Sequence, residues 1–406
     1  MAKRACSDHE VQKQVDESKK GRFSTIPEFP EALVLKTAIC MGLLSDLSVP
    51  SYTLTPLKIV NCNGADCQQG FAFSKAYCSV TPVEPLHVFG SVFEKGIYIL
   101  LHYLDEKELP EKKQEKHLLG KLLDYLLNKD AHAALEKSGM FSETEITVLL
   151  ANHLFVKLAA SPSYIIDRHS KRKQGTKCPC PVPDCKLSGL YGDTSIGNEE
   201  VWHGSLDIII NNDLVVEPVD GIKPESPGGK SPVEVKLKPG SLKSNPQIIA
   251  ETIVFSFLQK QRHSENDHFL FPCIGVAGKD LVFYFYDSYH DVLLESTPIP
   301  IFVEDSSGES KINFVAVLAS WLVVNYKYLC SGLTEAMLST EKKADFFVHA
   351  GSKLDIYESA LRLGNVGVSC QSQKTGHVVD TSDPILKGSR ELITKIKAKQ
   401  SGYFVL

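Results

Sequence analysis

The chain has 406 residues, a length that favours two or three modules over one ordinary core. Its 43% hydrophobic and 23% charged residues are the composition of a soluble globular protein. A formal net charge of −5 gives no global field that would gather nucleic acid, so any polyanion has to be held by a local basic patch or by metal ions.

Residues 1–25 are charged and nearly free of large apolar groups, and are expected to form a disordered tail. They contain no apolar run resembling a signal peptide. The 11 cysteines, an odd number spread along the chain, point to reduced thiols or a metal site rather than a disulfide framework. The expected compartment is therefore the nucleus or cytoplasm, and the chain is not expected to be secreted.

From 26 to 141 the text reads as a mostly helical N-terminal region. "PEALVLKTAICMGLL", "SVFEKGIYILLHYL" and "KHLLGKLLDYLLNKDAHAALEKSGMF" each carry helical apolar spacing. A core is expected over 142–300, opening with the helix "FSETEITVLLANHLFVKLAA", where Ser142 and Glu145 fit a capping box. Residues 161–197, rich in Pro, Gly, Cys and Lys and without periodicity, read as an insertion. Strands follow in "VWHGSLDIII", "LVVEPV" and, after a Gly/Pro/Ser loop, "PVEVKLK". In "SNPQIIAETIVFSFLQKQRH", Asn245 is a natural N-cap and Pro246 fits the first helical position. "FLFPCIGVAG" and "DLVFYFYDSYHDVLLE" give further strands, and 301–406 reads as a helical C-terminal region. The run "INFVAVLASWLVV" is too short to span a bilayer and is expected to be a buried helix, so no membrane partner is expected.

Strand parity isolates the chemistry. In "PVEVKLK", Glu234, Lys236 and Lys238 face away from Val233, Val235 and Leu237. In "GSLDIII", Asp207 shares a face with Ile209, while Leu206, Ile208 and Ile210 point the other way. Burying an unpaired carboxylate costs several kcal/mol. Asp207 therefore needs a partner, either a metal ion or the Glu234/Lys236 face of a neighbouring strand. The bland alternatives are a buried Asp–Lys pair for Asp207 and an amphipathic edge strand for Glu234 and Lys236. Two carboxylates and a lysine at a strand end suit Mg²⁺ or Mn²⁺, which keep waters and leave room for a phosphate oxygen.

The order helix, strand with Asp, strand with Glu-x-Lys, and helix with an early Gln resembles the PD-(D/E)XK nuclease superfamily, in its RecB-like and lambda-exonuclease-like branches. The resemblance covers roughly residues 142 to 290. It implies an α/β fold with a restriction-endonuclease-like core, a central mixed β-sheet flanked by helices, and helical N- and C-terminal regions around it. It implies a Mg²⁺-dependent deoxyribonuclease in which Asp207 and Glu234 bind the metal, the carbonyl of Val235 adds a ligand and Lys236 positions the attacking water. Gln247 matches the family's helical glutamine. Glu145 is the candidate for its acidic residue on the preceding helix, with Glu199 and Glu200 as rivals, although a capping role suffices for Glu145. His203 and Gly204 resemble the His-Gly pair sometimes found ahead of the aspartate. The chain departs from the pattern at Leu206, in place of the family's proline, and at Glu251, in place of an aromatic residue.

"HSKRKQGTKCPCPVPDCK" carries a second set of signals. Cys178, Cys180 and Cys185 offer sulfur donors for Zn²⁺, with a fourth ligand from His169, His203 or a distant cysteine. Cysteines of a Pro-rich loop are the ordinary alternative. Lys171, Arg172, Lys173 and Lys177 form the densest basic patch, suited to a DNA backbone or a nuclear-localisation signal, with solvated loop lysines as the ordinary reading. Two other functions stay open: a catalytically inactive nuclease-like module that binds nucleic acid or a protein, and a zinc-containing regulatory protein.

Overall fold

The computed structural model describes residues 29–46, 51–65, 68–136, 143–168, 178–182, 185, 189–210, 214–218, 244–266, 268–277 and 279–366. The expected tail over 1–25, the basic residues Lys171, Arg172, Lys173 and Lys177, and the Glu234–Val235–Lys236 triplet lie outside these residues.

The chain begins with α1 (Glu31–Ser45), followed by β1 (Thr53–Cys62), β2 (Cys78–Pro82) and β3 (His87–Val88). Helix α2 (Glu94–Glu106) buries Ile99, Leu100, Tyr103 and Leu104, the recurrence expected of an amphipathic helix. What reads as one long helix after it is two, α3 (Lys113–Leu127) and α4 (Lys129–Glu136). Asn128 leaves helical geometry and its Oδ1 accepts the Ala131 N–H at 3.0 Å, which ends one helix and caps the next. Helix α5 (Glu143–Leu150) runs through a π-helical turn, Ala151–Phe155, into the short α6 (Val156–Leu158).

Six short strands come next: β4 (Tyr164–Asp167), β5 (Leu190–Gly192), β6 (Ser195–Gly197), β7 (His203–Ser205), β8 (Ile208–Ile210) and β9 (Leu214–Pro218). Helix α7 (Pro246–Arg262) precedes β10 (Leu270–Ala277), β11 (Asp280–Asp287), β12 (Val292–Ser296), β13 (Ile299–Pro300) and the hairpin of β14 (Phe302–Glu304) and β15 (Ser310–Ile312). The described chain closes with α8 (Phe314–Val324), α9 (Tyr326–Leu329), α10 (Phe346–Ala350), α11 (Leu354–Ser359) and β16 (Arg362–Leu363).

An 11-stranded sheet runs in the order β2-β1-β12-β11-β10-β9-β8-β4-β5, with β3 paired on β1 and β13 on β11. The β9/β10 and β4/β5 pairs are parallel and the other pairs antiparallel, so the architecture is α/β with a mixed sheet flanked by helices. Alternation splits the apolar side chains between two cores. Ile208, Ile210, Phe283 and Phe285 pack on the face shared with α5 and α8, while Ile209, Val215, Tyr284 and Tyr286 pack on the face covered by α7. Every residue of α8 is buried, as its sequence predicts. Among the described residues no helix is long and apolar enough to cross a membrane.

Four findings redraw the expected boundaries. The 26–141 stretch is helical in α1 to α4 but also supplies β1, β2 and β3 to the sheet, β1 pairing with β12. The stretch 161–197 is no plain insertion, because β4 and β5 belong to the main sheet and β6 to a small one. Strands of three or four residues are too short to show a period. "VWHGSLDIII" is not one strand either: β7 joins β6 and β16 in a 3-stranded sheet, and Leu206 and Asp207 carry the chain across to β8. Leu206 consequently packs with Ile209 on the α7 face, not with Ile208 and Ile210. Gly204 permits the crossing: its φ is +151°, and a Cβ there would lie 2.9 Å from the Phe73 ring. In the C-terminal region, 301–366 mixes helices with β14 to β16, and 367–406 lies outside the described residues.

Candidate functional site

Asp207 is half-buried and sits immediately before β8. In β4, Ile166 pairs with Ile208, and one residue further the Asp167 N–H donates to the Asp207 carbonyl at 2.9 Å. Residues directly opposite on antiparallel strands point their side chains to the same face. Asp167 and Asp207 therefore share the face that also carries Ile209, the α7 face. On the other side, β9 sets Val216 against Ile208, which gives Glu217 the position across from Asp207, with Gly275 of β10 next to it. Asp167 and Asp207 thus adjoin on one face, with the Glu217 backbone next in the register.

Helix α7 closes over this face from a fixed starting point. Asn245 Oδ1 accepts the N–H groups of Gln247 at 3.0 Å and Ile248 at 3.2 Å, and Pro246 occupies the first helical position. The Ser244 N–H donates to Glu295, and the Asn245 N–H donates to Tyr284 Oη at 3.3 Å, so the helix start is tied to β11 and β12. Gln247 and Glu251 lie one turn apart, and Gln247 Nε2 donates to Glu251 Oε1 at 2.9 Å. Glu251 is fully buried. Burial pushes its carboxyl well above the usual range; the Gln247 amide pulls it down and the nearby charge of Asp207 pushes it up. The structure thus brings Asp207, Gln247 and Glu251 within electrostatic reach of one another, and Asp167 beside Asp207.

Two buried carboxylate oxygens here, Asp167 Oδ1 and Glu251 Oε2, have no hydrogen-bond partner among the described residues. An anionic oxygen without a partner is costly in a protein interior, a cost that a bound cation relieves. All the donors are oxygens, the set preferred by hard divalent cations. The acids are more widely spread than a tight coordination shell: among the described residues, the groups whose ligand atoms lie within 4.8 Å of one another are His153/Cys178/Cys180/Cys185 and the surface group His102/Glu106/Glu108.

Glu145 is buried on α5, a helix that packs against β9 and β10 on the face opposite α7. Glu199 and Glu200 are exposed in the turn after β6, where Glu200 Oε2 accepts from Lys353 Nζ at 2.9 Å, an ordinary surface ion pair. His203 Nδ1 lies 2.8 Å from the Val201 carbonyl, inside the small sheet. Sequence reasoning passed over Asp167 and Glu217, although "YIID" ends an apolar run on an acid much as "LDIII" begins one.

The thiol-rich cluster is assembled from two distant pieces of chain. His153 projects from the π-helical turn, with Nε2 at 3.3 Å from Cys178 Sγ and 3.9 Å from Cys185 Sγ. Asn152, its neighbour, donates to Cys178 Sγ at 3.0 Å, and the Tyr164 hydroxyl donates to Asn152 Oδ1. All three cysteines are free. Burial drives His153 down to about 4, helped by Lys157, and drives the Cys178 thiol up and that of Cys180 up to about 12. The fourth donor expected from His169, His203 or a distant cysteine is supplied by His153. His169 lies outside the described residues.

No protein-family model, no curated protein and no solved structure matches this chain.

Proposed function

We propose that this protein is a Mg²⁺- or Mn²⁺-dependent nuclease with a restriction-endonuclease-like core, hydrolysing phosphodiester bonds of DNA. The observation that carries this reading is the meeting of Asp207 with Asp167, Gln247 and Glu251 on one face of the sheet, where two buried carboxylate oxygens lack partners among the described residues. Its support from the resemblance to PD-(D/E)XK nucleases is that Asp207 matches the strand aspartate and Gln247 the helical glutamine, with Glu251 bonded to Gln247 and within the field of Asp207.

In this reading Asp207 and Asp167 hold the cation, with Glu234 and the Val235 carbonyl as the ligands implied by the resemblance. When bound, such a cation polarises a phosphate oxygen and lowers the pKa of attacking water. Lys236 orients that water. Gln247 fixes the Glu251 carboxyl by the 2.9 Å hydrogen bond, so the charge balance around Asp207 is set by a helix anchored at both its cap and the sheet. Lys171, Arg172, Lys173 and Lys177 contact the phosphate backbone, a local basic patch on a chain of net charge −5. Zn²⁺ in the His153 cluster takes no part in the reaction, since four protein donors leave no open coordination position.

A second reading, a nuclease-like module that binds nucleic acid without cutting it, is favoured by the wide spacing of the acids relative to a single coordination shell. One assay separates the two. Full-length protein with Mg²⁺ or Mn²⁺ should nick supercoiled plasmid, and Asp207→Ala should abolish nicking while leaving the circular-dichroism spectrum unchanged. Salt-dependent DNA binding without cleavage selects the second reading. Neither binding nor cleavage eliminates both.

A further inference from the structure

We propose that His153, Cys178, Cys180 and Cys185 bind one Zn²⁺ ion, and that this ion is a structural staple joining the α5–α6 helical unit to the segment that enters β5. The inference is independent of the hydrolytic reading, because none of its four donors belongs to the Asp207 group.

Geometry carries it. A tetrahedral zinc with bonds of about 2.3 Å to sulfur and about 2.0 Å to nitrogen sets its sulfurs about 3.8 Å apart and its nitrogen about 3.5 Å from each sulfur. The observed N···S separations of 3.3 and 3.9 Å straddle that value, and all four donor atoms fall within 4.8 Å of one another. Three thiols and one imidazole are the Cys₃His set of structural zinc sites.

A second feature points the same way. The turn that presents His153 is π-helical, Ala151–Phe155, an insertion that shifts the phase of the helix and recurs at functional sites. The phase shift brings Asn152 and His153 together on the cysteines, with Asn152 donating to Cys178 Sγ at 3.0 Å. Hydrogen bonds to ligating atoms from such neighbours orient the donors and tune the metal. Tyr164, the first residue of β4, holds Asn152 in turn. The site therefore ties the helical unit to the chain between β4 and β5 and, through Asn152, to the first residue of β4. β4 is the strand that bears Asp167. Loading the site releases the three thiol protons to solvent as the thiolates bind Zn²⁺.

The test uses the full chain, purified without chelator and loaded with zinc. Elemental analysis should return one zinc per chain, and Co²⁺ substitution should give the visible ligand-field bands of a tetrahedral thiolate site. In the wild-type protein, Cys178, Cys180 and Cys185 should resist alkylation until a chelator is added, while Cys40 on α1 reacts alike in both conditions. Peptide mass mapping reads this without any variant that could fail to fold. Asn152→Ala should keep the stoichiometry and weaken zinc about 10–100-fold in chelator competition, the loss typical of removing an outer-shell partner. The proposal is overturned by equal alkylation with and without zinc, by a disulfide between two of these cysteines, or by iron in place of zinc.

Discussion

Asp167 and Asp207 stand opposite each other on β4 and at the start of β8, joined by a 2.9 Å hydrogen bond from the Asp167 N–H to the Asp207 carbonyl. Two carboxylates on one face of adjacent strands repel each other unless something positive lies between them or one of them is protonated. Asp167 is 7% exposed and its Oδ1 has no hydrogen-bond partner among the described residues, the position expected of a cation ligand in the proposed reading.

Asp167→Asn tests that reading. In the absence of divalent cations the variant should be more stable by about 1–3 kcal/mol, the scale of relieving an uncompensated buried polar group. Cleavage should fall by about 100-fold or more, because a metal-binding carboxylate contributes to several kcal/mol of transition-state stabilisation. Urea denaturation and plasmid nicking report the two effects. Unchanged nicking would remove Asp167 from the site.

The Gln247–Glu251 pair should respond asymmetrically. Gln247→Ala deletes the amide donor to Glu251 Oε1 while Oε2 has no partner among the described residues, and should destabilise the protein by about 1–3 kcal/mol. Glu251→Gln keeps the shape and removes a charge that burial disfavours, so it should be neutral or stabilising. Equal losses in the two urea midpoints would mean that shape, rather than charge, governs this contact.

A pH dependence is expected from Asp291, in the turn between β11 and β12. Its carboxylate accepts from Tyr286 Oη at 2.9 Å and from the N–H groups of Phe346 and Phe347 at 3.2 Å each. Burial outweighs these bonds and raises the group from 3.8 to about 6. Between those values the folded state carries a proton that the unfolded chain has released, so stability falls as pH rises from about 4 to about 6 and is level beyond. Asp291→Asn is suited to the position, since its φ of +58° is one that asparagine tolerates. Unfolding free energies at pH 4 to 7 should show a wild-type-minus-variant difference that declines by up to about 1.4 kcal/mol per pH unit across the window. A difference that is flat or grows with pH would refute the assignment.

Local signals in the sequence were strong where one short stretch contains both cause and effect. Asn245 and Pro246 mark the start of α7, the apolar run from Ile312 to Val324 gives buried α8, and Asp207 stands out against "III" because a carboxylate beside a buried strand needs a partner. Glu234, Val235 and Lys236 carry the resemblance, yet they lie outside the described residues, so that half of the expected site rests on sequence alone.

Apolar patterning and capping chemistry set by nearest neighbours along the chain were enough to specify α7, α8, the strand β11 and the suspicion attached to Asp207. Pairing across long stretches of chain was not specified that way. The Asp167–Asp207 contact depends on strand order, β1 enters the sheet through β12, and His153 reaches Cys178 from a π-helical turn. Strand order and helix phase are fixed by the burial of side chains remote in sequence, a sum over the whole core that no single stretch of residues contains.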